Sequence, residues 1–129
     1  MRAVDTNALV RLLVRDDPKQ VAAAEAFVEK GAWVPLLAVA ETAWVLESVY
    51  DRDPAAIASA IEMLLHHDRL TVQDADAVAA ASARFQRQTK VGFSDFLMLE
   101  VARKAGHLPF GTFDRDLAKT DGALRIDRG

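Results

Sequence analysis

The stretch Val91-Gly92-Phe93-Ser94-Asp95-Phe96-Leu97-Met98-Leu99 is apolar almost throughout and carries a single charge, on Asp95. An ionised carboxylate that is held away from water must be paired with a cation or must bind one. The stretch therefore predicts a buried helix with a chemical role for Asp95, and acids in a similar setting elsewhere become candidates for the same role.

Three further acids lie in comparable surroundings. Asp5 follows a short apolar run at the start of the sequence, Glu41 is the only charge in the range 34–46, and Asp114 ends the apolar run 110–113. Our hypothesis is that these four acids meet at one point and bind a divalent metal ion.

The composition limits the function classes. The chain has 129 residues, a common size for one domain, and its 16 Lys and Arg residues against 19 Asp and Glu residues give a net charge of −3. This balance is not typical of a basic nucleic-acid-binding domain, so any such binding must depend on a local basic patch or on metal. The absence of cysteine excludes a disulfide framework, a thiol nucleophile and thiolate metal ligands.

Neither a secretory leader nor a membrane span is expected. The first residues contain no long apolar segment, and no uncharged apolar stretch reaches about 18 residues. We expect a single domain, residues 1–129, in the cytoplasm.

Helices and strands are predicted to alternate along the chain. Strands are expected at 2–4, 32–35, 70–72, 109–113 and 123–126. The intervening segments show helix caps and apolar residues at helical spacing, including two Asp-Pro starts at 17–18 and 53–54. Such alternation predicts an α/β fold in which helices cover both faces of a parallel sheet.

This arrangement predicts where the acids lie. Asp5 follows the first strand and Asp114 follows the fourth, while Asp95 lies in the first turn of the helix that leads into the fourth strand. Glu41 belongs to the helix after the second strand. Function in parallel α/β sheets collects at the carboxyl ends of the strands, so the acids share one crevice if strands one and four are neighbours.

Several carboxylates in one crevice need a cation, since two unit charges about 5 Å apart repel by roughly 3 kcal/mol at an effective dielectric near 20. Oxygen ligands without His or Cys suit Mg²⁺ or Mn²⁺ better than zinc. These metals activate water and stabilise charge in phosphoryl chemistry, and nothing else in the sequence supplies a nucleophile. Hydrolysis of a phosphodiester bond is the reaction that these residues favour.

Neighbouring residues are candidates for supporting roles. The hydroxyl groups of Thr6 and Thr112 could orient a carboxylate or a metal-bound water, and Asp116 could replace or supplement Asp114. Ser94 stands where a helix cap is expected. A group of cations could form a phosphate-binding rim or could simply complement helix dipoles. These cations are Arg84, Arg87, Lys90, Arg103 and Lys104.

Each acid also has an ordinary structural interpretation. Asp5, Asp95 and Asp114 could be turn or cap residues. Glu41 is predicted to face apolar neighbours in a buried helix, so its alternative is an ion pair, for example with Arg11. Both tryptophans, Trp33 and Trp44, and also Phe96, are expected in the core.

The motifs resemble those of the PIN-domain family, and most closely the toxins of VapBC toxin–antitoxin systems. The resemblance rests on four segments that occur in the family's order and cover essentially the whole chain. They are Val4-Asp5-Thr6-Asn7, Val39-Ala40-Glu41-Thr42-Ala43-Trp44-Val45-Leu46, Phe93-Ser94-Asp95-Phe96-Leu97 and Gly111-Thr112-Phe113-Asp114-Arg115-Asp116.

The resemblance carries its own expectations. It implies a three-layer PIN-like fold with a central parallel sheet of about five strands, and Mg²⁺- or Mn²⁺-dependent endoribonuclease activity. It also implies a homodimer that is inhibited by a small antitoxin protein. Asp5, Glu41, Asp95 and Asp114 match the four acidic positions of the family, and Thr112 matches its threonine.

Other functions are weighed against this one. A receiver-like signalling domain also gathers acids and Mg²⁺, but it needs an acceptor Asp at the end of a central strand, and the third strand here is followed by Gln73. A module that binds Mg²⁺ without catalysis, or a PIN-type nuclease that is not a toxin, remains an alternative.

Overall fold

The computed structural model describes residues 1–127, and in it the chain divides into two units, Met1–Ala75 and the residues from Asp76 onward. The first unit contains β1 (Arg2–Ala3), α1 (Thr6–Val14), α2 (Pro18–Val28), β2 (Ala32–Val34), α3 (Leu36–Ser48), α4 (Pro54–His66) and β3 (Leu70–Val72). The second contains α5 (Ala75–Arg87, whose first residue belongs to the first unit), α6 (Phe93–Ala105), β4 (Phe110–Thr112), a short 3-10 helix (Leu117–Lys119) and β5 (Ala123–Arg125). The predicted alternation of strands and helices is confirmed.

The two Asp-Pro signals begin helices as predicted. The side chain of Asp17 accepts hydrogen bonds from the amides of Lys19 and Gln20, and Pro18 is the first residue of α2. Asp53 does the same for α4, where it accepts from the amide of Ala56 at 2.8 Å. Both prolines occupy the first helical position, where a backbone N–H would have no acceptor within the helix. The lack of an N–H in proline therefore costs no helical hydrogen bond.

Two predicted helix starts are wrong by one or two residues. The sequence predicts Asn7 or Thr6 as the cap of a helix that starts near Ala8. The cap of α1 is instead Asp5, because the helix begins at Thr6 and the Asp5 carboxylate accepts from the amide of Ala8 at 3.0 Å. The cap position of α6 is Gly92, which offers no side-chain oxygen, so Ser94 lies inside the first turn and is not a cap.

All strand pairings are parallel, as predicted, but the strands are divided between two sheets. The first unit holds a three-stranded sheet in the order β1-β2-β3, and the second holds a two-stranded sheet of β4 and β5. The prediction of one sheet of about five strands is therefore not met within residues 1–127. The strands are only two or three residues long, so each offers few backbone groups for pairing.

Each unit has buried apolar residues on the elements that the periodicity predicted. In the first unit the fully buried side chains include Leu9, Val39 and Ile61. In the second they include Phe96 and Leu99, so the core assignment of Phe96 is confirmed.

The helix α3 is not buried all round, contrary to prediction. Its buried residues include Val39, Thr42 and Leu46, while Leu37 is 69% exposed and Trp44 is 63% exposed. The other tryptophan, Trp33, is also partly exposed. An apolar sequence allows every side of a helix to be buried. Which side is buried depends on where the neighbouring helices and strands pack.

None of the helices within residues 1–127 combines the length and the apolar character needed to cross a membrane.

Candidate functional site

In the first unit, Asp5 and Glu41 are connected through Thr6. Asp5 directly precedes α1 and its Oδ1 is held by the Ala8 amide. One residue later, the hydroxyl of Thr6 donates a hydrogen bond to Glu41 Oε2 at 3.0 Å. The start of α1 thus orients two carboxylates, one through a cap and one through a threonine.

These residues line an open pocket of about 450 Å³ in the first unit, together with apolar residues that include Pro35 and Leu37. Glu41 is exposed, so its predicted burial is wrong, because it lies on the uncovered side of α3. The alternative ion pair between Glu41 and Arg11 is also absent among the described residues. Arg11 instead contacts Asp16 at 3.1 Å and the hydroxyl of Tyr50 at 3.3 Å.

In the second unit, Asp95 is the third residue of α6 and is partly buried. Burial raises the pKa of the Asp95 carboxyl above its usual range, and repulsion by the Asp114 carboxylate raises this pKa further. Asp95 is not a helix cap. Burial and the Asp114 carboxylate both disfavour the charge of Asp95, and no protein cation lies beside it in residues 1–127.

Asp114 follows β4 and is fixed by its own loop. Its amide donates to the hydroxyl of Thr112 at 3.1 Å, and its Oδ1 accepts from the amides of Asp116 and Leu117 at 2.8 and 2.9 Å. The turn interpretation of Asp114 is therefore realised, and the cap position of the short 3-10 helix is Asp116; the cap interpretation is realised for Asp5, which caps α1. In Asp5 and Asp114 the bonds to backbone amides involve Oδ1 alone.

Two further candidate residues, Asp116 and Ser94, lie next to the acids in the sequence. The carboxylate of Asp116 lies 3.9 Å from the ammonium of Lys119. Ser94 immediately precedes Asp95 in the first turn of α6.

The donor set fits a hard divalent cation in its chemistry. Every candidate atom is a carboxylate oxygen, the type of ligand that Mg²⁺ and Mn²⁺ prefer, and Asp95 and Asp114 repel each other with no cation beside Asp95 among residues 1–127. Each unit brings two of the four acids together. Among residues 1–127, no group of three or more His, Asp or Glu side chains lies in an arrangement that could hold a metal ion.

Three of the five cations proposed for RNA contact are engaged in ion pairs. Arg84 and Arg103 pair with Glu100 at 3.5 and 3.0 Å, and Lys104 pairs with Asp76 at 2.9 Å. The bond from Lys104 lowers the pKa of the Asp76 carboxyl. Arg87 and Lys90 are exposed and have no ion pair in the described part of the chain.

Glu100 is a residue that the sequence interpretation missed. It is only 6% exposed, and both of its carboxylate oxygens face arginines. Arg103 also donates to the backbone oxygen of Asp121. The signal was present in the sequence, because Glu100 lies in an apolar stretch of the same helix as Asp95, and the same burial argument applies to it.

The sequence model of the PIN domain family matches residues 2–123 of this chain. No curated protein matches, and no solved structure matches. The family match spans nearly the whole sequence and includes all four acids. The chain belongs to the PIN-domain family, whose members are typically nucleases and generally use divalent metal ions.

Proposed function

We propose that this PIN-domain protein is a divalent-metal-dependent endoribonuclease that hydrolyses phosphodiester bonds of RNA. The observation that carries the proposal is the state of Asp95, whose charge is opposed by burial and by Asp114 and has no cation beside it among the described residues. A protein keeps such an arrangement at a cost in stability, and a bound cation removes that cost. The family match supports the nuclease class.

The proposed ligands of Mg²⁺ or Mn²⁺ are Asp5, Glu41, Asp95 and Asp114, with Asp116 as a further candidate. The metal would polarise the phosphodiester and lower the pKa of a water that acts as nucleophile. The convergence of all four acids on one ion is part of the proposal. The pairs within each unit support it.

The protein's own contribution is the orientation of these carboxylates. The Ala8 amide holds Asp5, Thr6 holds Glu41, and two amides hold Asp114. Groups that are held in place before the substrate arrives lose less entropy when the reaction begins. Thr112 contributes through the backbone of Asp114, and Ser94 is proposed to support Asp95 from the neighbouring position.

RNA contact is proposed for the basic group, with Arg87 and Lys90 foremost because both are exposed and have no ion pair within residues 1–127. Arg84, Arg103 and Lys104 would have to share their charge with Glu100 and Asp76. We expect their contribution to RNA binding to be smaller for this reason.

The decisive experiment incubates total RNA with the purified protein and Mn²⁺. Defined cuts are expected, which disappear when the metal is chelated. Asp95→Asn should remain folded and should lower the cleavage rate by on the order of 10³, since the loss of several kcal/mol of metal-dependent stabilisation corresponds to this factor. The matched control is Asp68→Asn, which removes one negative charge from an exposed turn and should cleave at the wild-type rate.

Two results would contradict the proposal. One is an Asp95→Asn protein that is as active as the wild type. The other is cleavage that persists in the presence of a chelator.

We further propose that the protein is a VapC-type toxin of a type II toxin–antitoxin pair, acting as a cytoplasmic homodimer that a small antitoxin protein inhibits. The order of the four motifs supports this subtype. Production of the wild type should arrest growth of a bacterial host, and Asp95→Asn should not. A neighbouring gene for a short DNA-binding protein should relieve the arrest. If RNA is cleaved but growth continues, the protein is a PIN nuclease without a toxin role.

A further inference from the structure

Phe113 lies immediately before Asp114, and its side chain is 75% exposed. Single exposed apolar residues are common on protein surfaces and need no explanation. The position of this one is unusual, because Asp114 and Arg115 follow it directly and are both exposed. An aromatic ring, a carboxylate and a guanidinium group are thus exposed at three consecutive positions of one loop.

The loop that carries the ring is fixed on both sides. Before the ring, the Thr112 carbonyl accepts from the amide of Ile126 at 2.7 Å. After it, the Asp114 amide donates to the Thr112 hydroxyl, and Asp114 Oδ1 accepts from two further amides. The next residues lead to Leu117, which is buried. The backbone on both sides of the ring is thus fixed before any ligand binds, so little backbone entropy is lost on contact.

Two exposed arginines close to the ring along the chain or across the strand pairing suit a nucleic acid ligand. Arg115 is exposed and has no ion pair among residues 1–127. The same is true of Arg125, which is in register with Thr112 in the parallel pairing of β4 and β5. Guanidinium groups without an acidic partner are well suited to bind phosphate oxygens of a nucleic acid.

We propose that Phe113 is a stacking platform for one unpaired base of single-stranded RNA, next to the bond that is cut, with Arg115 at the adjacent phosphate. This rests on the proposed nuclease function. A base on an aromatic face is bound through its π-surface, so the contact tolerates any base but requires that the base be unstacked from a duplex. Phe113 then determines a preference for single strands over duplexes.

The binding experiment compares an unstructured ten-nucleotide RNA with the same sequence as a duplex, in Ca²⁺, with cleavage monitored on a gel. Phe113→Ala should weaken binding of the single strand about tenfold, a typical loss for one stacked base, and should leave the duplex unchanged. Phe113→Trp should restore binding, and Phe113→Leu should not, because leucine is apolar but has no π-face.

The matched control is Leu124→Ala. Leu124 is also an exposed apolar residue of the same two-stranded sheet, 57% exposed, but it does not adjoin Asp114 in the chain. This variant should bind and cleave as the wild type does. Melting temperatures of all variants should lie close together, since neither side chain is buried.

The position of the stacked base can be mapped with a series of oligonucleotides, each of which carries a single abasic nucleotide at a different position. At one position near the cut, removal of the base should cost the wild type about tenfold in KM and should cost Phe113→Ala almost nothing. A 2-aminopurine at that position should change its fluorescence on binding to the wild type and not to Phe113→Ala.

Several outcomes would overturn the inference. It fails if Phe113→Ala binds and cleaves as well as the wild type, or if Phe113→Leu restores full binding. It also fails if Phe113→Ala and Leu124→Ala both change the sedimentation of the protein, because the face is then an interface with a second copy. A wild type that cleaves no RNA contradicts the proposed function instead, and single-strand binding still tests Phe113.

Discussion

Two acids of the same helix, Asp95 and Glu100, are both withdrawn from water but have neighbours of opposite charge. Glu100 is almost inaccessible, and its two oxygens face the guanidinium groups of Arg84 and Arg103. Asp95, five residues earlier, is partly buried and has Asp114 as its charged neighbour, which raises its pKa. Both acids interrupt apolar sequence, so the local pattern is the same for each.

The difference separates a structural carboxylate from a candidate metal ligand. A buried acid that is paired with arginines is already neutralised by the protein. A buried acid that faces another acid must take a proton or a cation from solution. The sign of the neighbouring charge, and not burial alone, is therefore the property that identifies a metal site.

The largest effect that tests the contrast between Asp95 and Glu100 is the stabilisation of the folded protein by a divalent metal ion. Mg²⁺ should raise the stability of the wild type by about 2.7 kcal/mol at a concentration 100 times its Kd, because the proposed ligands would bind the ion only in the folded protein. Asp95→Asn should gain much less, while Glu100→Gln should gain as much as the wild type. Thermal unfolding over a Mg²⁺ titration measures this, and an equal gain in Asp95→Asn would remove Asp95 from the site.

A smaller effect is expected from the loss of Glu100. Glu100→Ala should lower the free energy of unfolding by roughly 2 kcal/mol, less than the 3–5 kcal/mol of a fully buried pair, because both arginines are partly exposed. Urea unfolding gives this value. The control is Glu25→Ala, which breaks the exposed Arg15–Glu25 pair and should cost about 0.5 kcal/mol. Equal losses in the two variants would mean that burial of Glu100 has no energetic consequence.

The smallest effect is a pH dependence without metal. Because the folded protein raises the pKa of Asp95, the folded state binds more protons than the unfolded state between the two pKa values. Asp95 therefore destabilises the metal-free protein at neutral pH, and this cost disappears as the pH falls through the raised pKa. Asp95→Asn should melt slightly higher than the wild type at pH 7 in a chelator, and the difference should shrink towards pH 4. A lower melting temperature of Asp95→Asn at pH 7 would contradict the repulsion.

Much of the local structure was predictable because its causes are local. The Asp-Pro pairs at 17–18 and 53–54 begin helices through a cap and a fixed φ angle, and both depend on residues adjacent in sequence. The order of strands and helices follows from apolar periodicity in the same way. The caps of α1 and α6 were misplaced because several neighbouring residues can serve as a cap, and the packing of the helix selects one.

The surroundings of the acids were less predictable. The sequence placed Glu41 among apolar residues, and in the structure those residues include Leu37 and Trp44, which are themselves exposed. Phe113 has the same side chain as the buried Phe96, and Trp44 is also a large aromatic residue, so residue type alone does not predict which of them is exposed. The two sheets of three and two strands also depend on pairings between distant segments.

By itself, the sequence determined the α/β class, the helix starts marked by Asp-Pro and the membership in the PIN-domain family, and it supplied the four acids of the metal-site hypothesis. Only the tertiary structure decided that Glu41 is oriented by Thr6, that Glu100 is neutralised by two arginines, and that Asp95 faces Asp114. The physical reason is the distance along the chain over which each interaction acts. Caps and periodicity act over a few residues, whereas the charge state of a carboxylate depends on whichever distant side chains folding brings next to it.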